Sequence, residues 1–266
     1  MKRECLTIIG TAHVSEKSVE EVKDAIYEQQ PEVVAIELDR ERFERLMKEE
    51  SGVEEDDEIS VTDIIKNDKV GLFLVSSVLT YVQSKIGDDL DIRPGSEMIA
   101  AIKAAQDIDA KIALIDRNIN ITLQRALNKM SWFEKLKFMF SAIFSLFADG
   151  DDINIEDLKK QDIMEESMAL FEDISPKAYE VLVKERDAYL ASKILDIQED
   201  HVIAVVGAGH KPGINRYLDH PEELPPLEEL TDLSKKGFPW LKIILALIPI
   251  SFVAIFFLAF IKGIKI

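Results

Sequence analysis

Cysteine is scarce in this chain, with one residue, Cys5, among 266. A single cysteine cannot form an internal disulfide, and Cys5 lies in an apolar run typical of a buried thiol in a reducing compartment. The sequence also lacks a G-x-S-x-G turn and a helical H-E-x-x-H pattern. It therefore contains neither the serine elbow of many hydrolases nor the zinc-binding helix of many peptidases, and any chemistry must come from other residues.

Basic residues are also few relative to acidic residues. Lys and Arg number 32 against 50 Asp and Glu, which gives a formal net charge of −18. Nucleic-acid binding needs clustered Lys and Arg to neutralise phosphates, so this balance argues against a nucleic-acid partner. Apolar residues make up 47% of the chain, which is enough for a substantial core and excludes a wholly disordered protein.

A long apolar run lies near the end of the sequence, at 241–261. As a helix rising about 1.5 Å per residue it would span about 30 Å, the thickness of a bilayer core. Trp240 suits an interfacial depth, and lysines flank the run on both sides. We predict a transmembrane anchor at 238–266, preceded by a proline-containing linker at 221–237.

The domain before this linker, 1–220, begins with no recognisable secretory signal, which favours a cytoplasmic location for it. Two further apolar segments, 70–86 and 132–147, are short for a membrane span. They are expected to be helices, either packed on the domain or lying at the bilayer surface. A single-pass chain, a piece of a multi-pass protein and a homo-oligomer all remain open.

Short apolar runs predict the strands of the domain. They are continuous rather than alternating, as in parallel strands covered on both faces. The four runs are 6–9, 33–38, 112–115 and 202–206. Helical patterns separate them, with starts predicted at Ser15, Ser96 and Ser175. Strands that alternate with helices predict an α/β fold, in which βαβ units with helical insertions build a mostly parallel sheet.

Polar residues follow these predicted strands. The first and fourth strands each run into a G-x-x-H segment, ending at His13 and His210, and the second ends at Glu37. The carboxyl ends of parallel strands meet at one edge of a sheet, where ligands bind. Imidazole and carboxylate suit Mn²⁺, Co²⁺ or Zn²⁺, whereas a metal-free site would use histidine as a general base. The sequence predicts a shared pocket and leaves these two alternatives open.

Other charged residues are candidates for the same pocket: Arg42, Glu97, Asp116, Arg117 and Arg186. Arg186 falls on the apolar face of a predicted helix, and a buried guanidinium needs an anionic partner. It either pairs with Glu37 or Asp116 or binds a carboxylate or phosphate of the substrate. Glu97 either joins the pocket or is only a favourable charge at a helix dipole.

Several segments resemble the TraB/PrgY family, a group that includes GumN-like and Tiki proteins and resembles the erythromycin-esterase and ChaN folds. These segments are GTAHVS at 10–15, AIELDRERF at 35–43, PGSEM at 94–98, LIDR at 114–117, KERDAYLA at 184–191 and VVGAGHKPGI at 205–214. They occur in the order of the family pattern, and the match extends over roughly residues 5–216.

The resemblance implies a metal-dependent peptidase whose active centre is the two G-x-x-H histidines and a glutamate, here His13, His210 and Glu37. It places the five further charged residues among the polar motif positions, as candidates for substrate binding. A peptide or small-molecule substrate follows from this, together with membrane attachment. Two alternatives remain: a non-catalytic protein that binds haem or a peptide, as the ChaN-like resemblance implies, and a membrane scaffold.

Overall fold

In the computed structural model, the residues that can be described are 5–11, 16–51, 95–135 and 175–233. Strands and helices alternate along these ranges, and the strands form one parallel sheet in the order β1-β4-β2-β3. The strands are β1 (Cys5–Thr11), β2 (Val33–Ile36), β3 (Lys111–Leu114) and β4 (His201–Gly207). Each predicted apolar run overlaps one of them, so the prediction of an α/β fold with a parallel sheet is confirmed.

Helices connect the strands. They are α1 (Glu16–Gln29), α2 (Arg40–Glu50), α3 (Ser96–Asp107), α4 (Ile119–Lys129), α5 (Pro176–Tyr179), α6 (Glu185–Asp196), α7 (Lys211–Asp219) and α8 (Leu227–Thr231). A π-helical turn, Glu180–Lys184, joins α5 to α6, and a 3-10 turn, Pro221–Glu223, follows α7.

The helices cover both faces of the sheet, which explains why its strands are apolar throughout. Alternate residues of β2 point to opposite sides. Val34 and Ile36 pack in a core cluster that includes Ile26 of α1 and Ile102 of α3. The core cluster on the opposite face includes Val33, Ala35, Leu190, Ile194 and Ile214. Because both faces are buried, the strand pattern has no polar side.

Two of the predicted helix starts fall within the described residues. Ser175 precedes α5, with Pro176 as the first helical residue, as predicted. The prediction for Ser96 is wrong by one position, because Ser96 lies inside α3 and Gly95 is the N-cap. Gly95 has a φ of 91°, in the left-handed region that glycine enters without strain, and this conformation turns the chain into the helix.

Cys5 was expected to be buried, and this prediction is wrong. The residue is exposed because it is the first of β1, which lies at an edge of the sheet with β4 as its neighbour. The apolar run to which it belongs becomes protected only toward Ile9 and Thr11.

Part of the predicted linker is packed against the domain. Leu230 of α8 is 2% exposed, and its carbonyl accepts a hydrogen bond of 2.6 Å from Arg117. The apolar run at 241–261, the segment 70–86 and residues 136–147 lie outside the described residues. Within the described ranges, no helix combines the length and the apolar character that crossing a bilayer requires.

Asp39 connects two helices at the sheet edge, which leads to a first prediction. It is buried at 4% exposure, accepts a 3.0 Å bond from the backbone of Arg42 as N-cap of α2, and accepts a 3.3 Å bond from the backbone of Ile119 in α4. Asp39→Ala is therefore expected to lower the free energy of unfolding by about 1–2 kcal/mol. Urea unfolding of the full chain measures this, with Asp24→Ala on the exposed face of α1 as control. Equal losses in the two variants would contradict the capping role.

Candidate functional site

The candidate site lies at the carboxyl end of β2, where Glu37 follows the strand directly. Glu37 is 4% exposed, and its backbone N–H donates to the carbonyl of Val205 in β4 at 3.1 Å. Its Oε2 accepts a 2.6 Å hydrogen bond from the backbone N–H of Gly207. The carboxylate is thus fixed across the ends of two neighbouring parallel strands.

His210 approaches this carboxylate from the turn after β4. Its backbone N–H donates to the carbonyl of Gly207 at 2.9 Å, and the residue stands at the N-cap of α7. Its Nε2 lies 3.6 Å from Glu37 Oε1, which is too long for a direct hydrogen bond. The other ring nitrogen, Nδ1, lies 2.6 Å from Oδ1 of Asp187 in α6. One histidine therefore stands between two carboxylates.

Asp187 is a buried acid at 5% exposure. Burial raises the pKa of its carboxyl above the ordinary value, while the hydrogen bond with His210 and the charge of Arg186 oppose the shift. Its partner in the site is the imidazole rather than a surface cation.

Arg186 joins the acids of the site. Its Nη2 donates to Glu37 Oε1 at 2.5 Å, while Nε and Nη2 donate to the two oxygens of Asp116 at 3.2 and 2.8 Å. Burial lowers the pKa of this guanidinium, but the charges of Asp116 and Glu37 outweigh burial and raise it above its ordinary value. The prediction of an ion pair with Glu37 or Asp116 is confirmed for both acids.

Arg42 is the outermost member of this arrangement. Its Nη1 lies 3.5 Å from Asp116 Oδ2, and its side chain is 35% exposed. The connected set is called the site network below: Glu37, Arg42, Asp116, Arg186, Asp187 and His210. It links β2, the end of β3 and three helices.

A second charged group, the Glu185 cluster, lies beside the site network and consists of Glu185, Arg117, Arg125 and Lys129. Arg125 donates to both oxygens of Glu185 at 2.8 and 2.9 Å, and Arg117 and Lys129 lie 3.1 and 2.8 Å from them. Burial raises the pKa of Glu185, but the hydrogen bonds from Arg125, Lys129 and Arg117 together lower it to about 2.

Comparison with known proteins identifies the family. The family model described as TraB/PrgY/gumN matches residues 2–223. The chain belongs to the TraB/PrgY/gumN family. It is similar to the uncharacterized protein MJ1365 of Methanocaldococcus jannaschii, with 36% identity over 95% of this chain and 64% of that protein. It is also similar to the TraB domain-containing proteins of Bos taurus and Homo sapiens, with 32% and 30% identity over 79% of this chain and 61% of theirs.

The chain thus spans less than two thirds of the length of these relatives. The family match confirms the resemblance that the motif segments indicated. In this TraB/PrgY/gumN-family chain, the KERDAYLA and VVGAGHKPGI segments supply Arg186, Asp187 and His210 to the site network.

The structure describes the two strands that lead into the G-x-x-H segments, but only the first two residues of the first segment, Gly10 and Thr11. β1 and β4 are adjacent and parallel, with Gly10 opposite Val206 and Thr11 opposite Gly207. An added Cβ on Gly10 would lie 3.2 Å from Ala208 Cα, so the turn after β4 passes close to β1. His13 lies outside the described residues, and its place in a common cavity with His210 stays a prediction.

Two further predicted site residues take different places. Arg117 is 1% exposed and donates to Thr122, Glu185, Leu230 and Val181, so its side chain ties together α4, α6, α8 and the π-helical turn. Glu97 is buried at 2% exposure in the first turn of α3. A role of either residue in substrate binding stays a prediction.

Asp187 was not among the predicted site residues, although the helical spacing of its neighbours indicates that it is buried. The apolar stripe of this helix contains Val183, Leu190 and Ile194, and Asp187 stands four residues after the first and three before the second. Helical spacing of three and four places it on the buried face. A carboxylate on such a stripe needs a partner, and that partner is the ring of His210.

The side chains of the site provide some of the ligand atoms that a divalent ion needs. Glu37 and His210 offer a carboxylate oxygen and an imidazole nitrogen 3.6 Å apart, and the other ring nitrogen contacts a carboxylate, as in most metal-binding histidines. Among the side chains of the described ranges, no three His, Cys, Asp or Glu form a group that could hold an ion.

Proposed function

We propose that this chain is a metal-dependent hydrolase, such as a peptidase, that is attached to a membrane through 241–261. The observation that carries the proposal is the position of His210 Nε2, 3.6 Å from Glu37 Oε1 at the carboxyl ends of adjacent parallel strands. This edge of a parallel sheet is where ligands bind in open α/β folds.

The chemistry divides among residues of this chain. Glu37 and His210 would hold the ion together with His13, and a bound divalent ion polarises a carbonyl and acidifies water. Arg186 holds the Glu37 carboxylate in place through its 2.5 Å contact. Arg42, which is one third exposed, is suited to bind an anionic group of the substrate.

A second candidate function is the binding of haem or a peptide without turnover. The observation that favours it is charge compensation, because Arg186 contacts both Glu37 and Asp116 and reduces the net charge available to hold a cation. A membrane scaffold would use the same network as a purely structural element.

Calorimetry of the detergent-solubilised full chain tests the metal. Wild type is expected to bind Mn²⁺, Co²⁺ or Zn²⁺, and His210→Ala and His13→Ala are expected to lose that binding. His220→Ala is the matched control, since the ring of His220 is 58% exposed and contacts Glu222 outside the site network. Unchanged titrations of the His210 and His13 variants would remove the metal from the proposal.

Turnover is tested with peptide libraries in the presence of each metal. Glu37→Gln is expected to lower kcat by about 10²–10⁴-fold, because the neutral amide would hold more weakly an ion that contributes several kcal/mol of transition-state stabilisation. Glu44→Gln on the exposed face of α2 is the control. A ligand retained through purification, with no cleavage under any metal, would instead support the binding function.

A further inference from the structure

The contact between Asp187 and His210 determines which nitrogen of the ring is available. Nδ1 lies 2.6 Å from Asp187 Oδ1, well within hydrogen-bond distance, whereas Nε2 lies 3.6 Å from Glu37. An ionised carboxylate accepts hydrogen bonds and donates none, so the proton of the short contact belongs to Nδ1. A neutral ring in this state carries its lone pair on Nε2, on the side of Glu37.

The chain buries a carboxylate to make this contact. Asp187 is 5% exposed, and Leu190, Ala191 and Ile194 follow it on the same side of α6, each with 0% exposure. An acid in such surroundings is costly unless it is hydrogen-bonded, which argues against an incidental surface contact. The Arg186 guanidinium beside it is directed at Asp116 and Glu37.

Gly213 in α7 provides the space for Asp187. A Cβ added at this glycine would overlap Oδ2 of Asp187 and would lie 2.5 Å from its Cγ and 2.9 Å from its Cβ. Rotation of the carboxylate alone would not relieve a clash that reaches Cβ. Any larger residue at 213 would force either Asp187 or the start of α7, which follows His210, to move, and either movement would disturb their contact.

From these contacts we infer that Asp187 is the positioning residue of His210: it holds the Nδ1–H tautomer with Nε2 unprotonated, in a space that Gly213 keeps open. The catalytic meaning of this state rests on the proposed function, in which Nε2 binds the ion or accepts a proton. The tautomer itself is a property of the metal-free protein.

Nuclear magnetic resonance of ¹⁵N-histidine in the full chain tests the inference, in detergent with a chelator and at alkaline pH. His210→Gln assigns the signal of His210 among the four histidines. In wild type, the proton is expected on Nδ1 and absent from Nε2. Asp187→Ala is expected to return the ring to the mixture of tautomers that free imidazole shows.

Gly213→Ala is the second variant and leaves Asp187 in the chain. Alanine has a higher helix propensity than glycine, so loss of the Nδ1–H signal here would not come from a lower helix propensity of α7. Asn215→Ala, at an exposed position of the same helix, is the control and is expected to keep the signal.

Retention of the Nδ1–H tautomer in Asp187→Ala or in Gly213→Ala would overturn the inference. A wild-type ring protonated at Nε2 alone would also overturn it. These measurements require neither metal nor turnover. The tautomer assignment is therefore tested independently of the proposed hydrolase activity. If hydrolysis is found, both variants are expected to lower kcat more than they raise KM.

Discussion

Arg186→Met is expected to lower the free energy of unfolding by about 3–5 kcal/mol, the usual cost of removing one partner from a buried ion pair. The substitution keeps most of the side-chain volume and removes the charge. Glu37 and Asp116, which are 5% and 2% exposed as side chains, would then lose the cation that compensates them. Urea unfolding of the full chain measures the loss.

Two further variants separate the charge from the packing of Arg186. Arg40→Met removes an 86% exposed guanidinium that pairs with Glu44, and a change below about 1 kcal/mol is expected. Combining Arg186→Met with Glu37→Gln and Asp116→Asn removes the uncompensated acids and is expected to recover part of the stability. A loss below about 1 kcal/mol in Arg186→Met alone would contradict a buried network held by charge.

Glu185→Gln is expected to destabilise the protein by about 2 kcal/mol at neutral pH, after allowance for solvent screening of the shifted pKa. Three cations lie within 3.1 Å of the Glu185 carboxylate and lower its pKa from 4.5 to about 2 in the folded state. Glutamine would leave the buried guanidinium of Arg117 without its anionic partner.

The pH dependence of this effect has a defined sign. A lowered pKa in the folded state means that Glu185 contributes its full stability above pH 4.5, and that this contribution falls as the pH decreases toward 2. The stability difference between wild type and Glu185→Gln is therefore expected to shrink over that interval. Glu44→Gln, at an exposed site of α2, is expected to show a small difference throughout. A wild-type advantage that stayed constant to pH 2 would contradict the role of the ionised carboxylate.

The strands were predictable from sequence because burial on both faces leaves a simple signal. Val33, Val34, Ala35 and Ile36 are all at most 2% exposed, and such a run has few alternatives in a domain of this length. The order of the strands in the sheet could not be predicted from the sequence. β4 inserts between β1 and β2, although it is the last of the four described strands, and only the crossovers between distant segments decide that.

The helix before β4 shows where periodicity failed. A helical period that runs through Val183 and Leu190 predicts Tyr179 and Leu182 on the same buried face. These two residues are only partly buried, while Ala178 and Val181 are at most 4% exposed. The cause is the π-helical turn Glu180–Lys184, which widens one turn and rotates the residues before it relative to those after it. A fixed period of 3.6 residues carries no information about such a turn.

The site itself was predictable where a charge had to be compensated. Arg186 on an apolar stripe required an acid, and Glu37 and Asp116 were the acids at strand ends. The partners of Arg117 could not be predicted in this way, because two of its hydrogen-bond acceptors are the main-chain carbonyls of Val181 and Leu230. Every residue has such a carbonyl, so the sequence does not mark the ones that serve as partners.

The hydrogen bonds that attach α8 to the domain have a mechanical consequence for the segment that follows it. Arg117 donates to the carbonyl of Leu230 and Arg125 to that of Asp232, and both arginines also bind Glu185. A pulling force on the chain beyond 233 would therefore reach these two guanidinium groups through the carbonyls that they bind. Since Glu185 directly precedes Arg186, the contacts that hold the end of α8 and the site network share one short stretch of backbone.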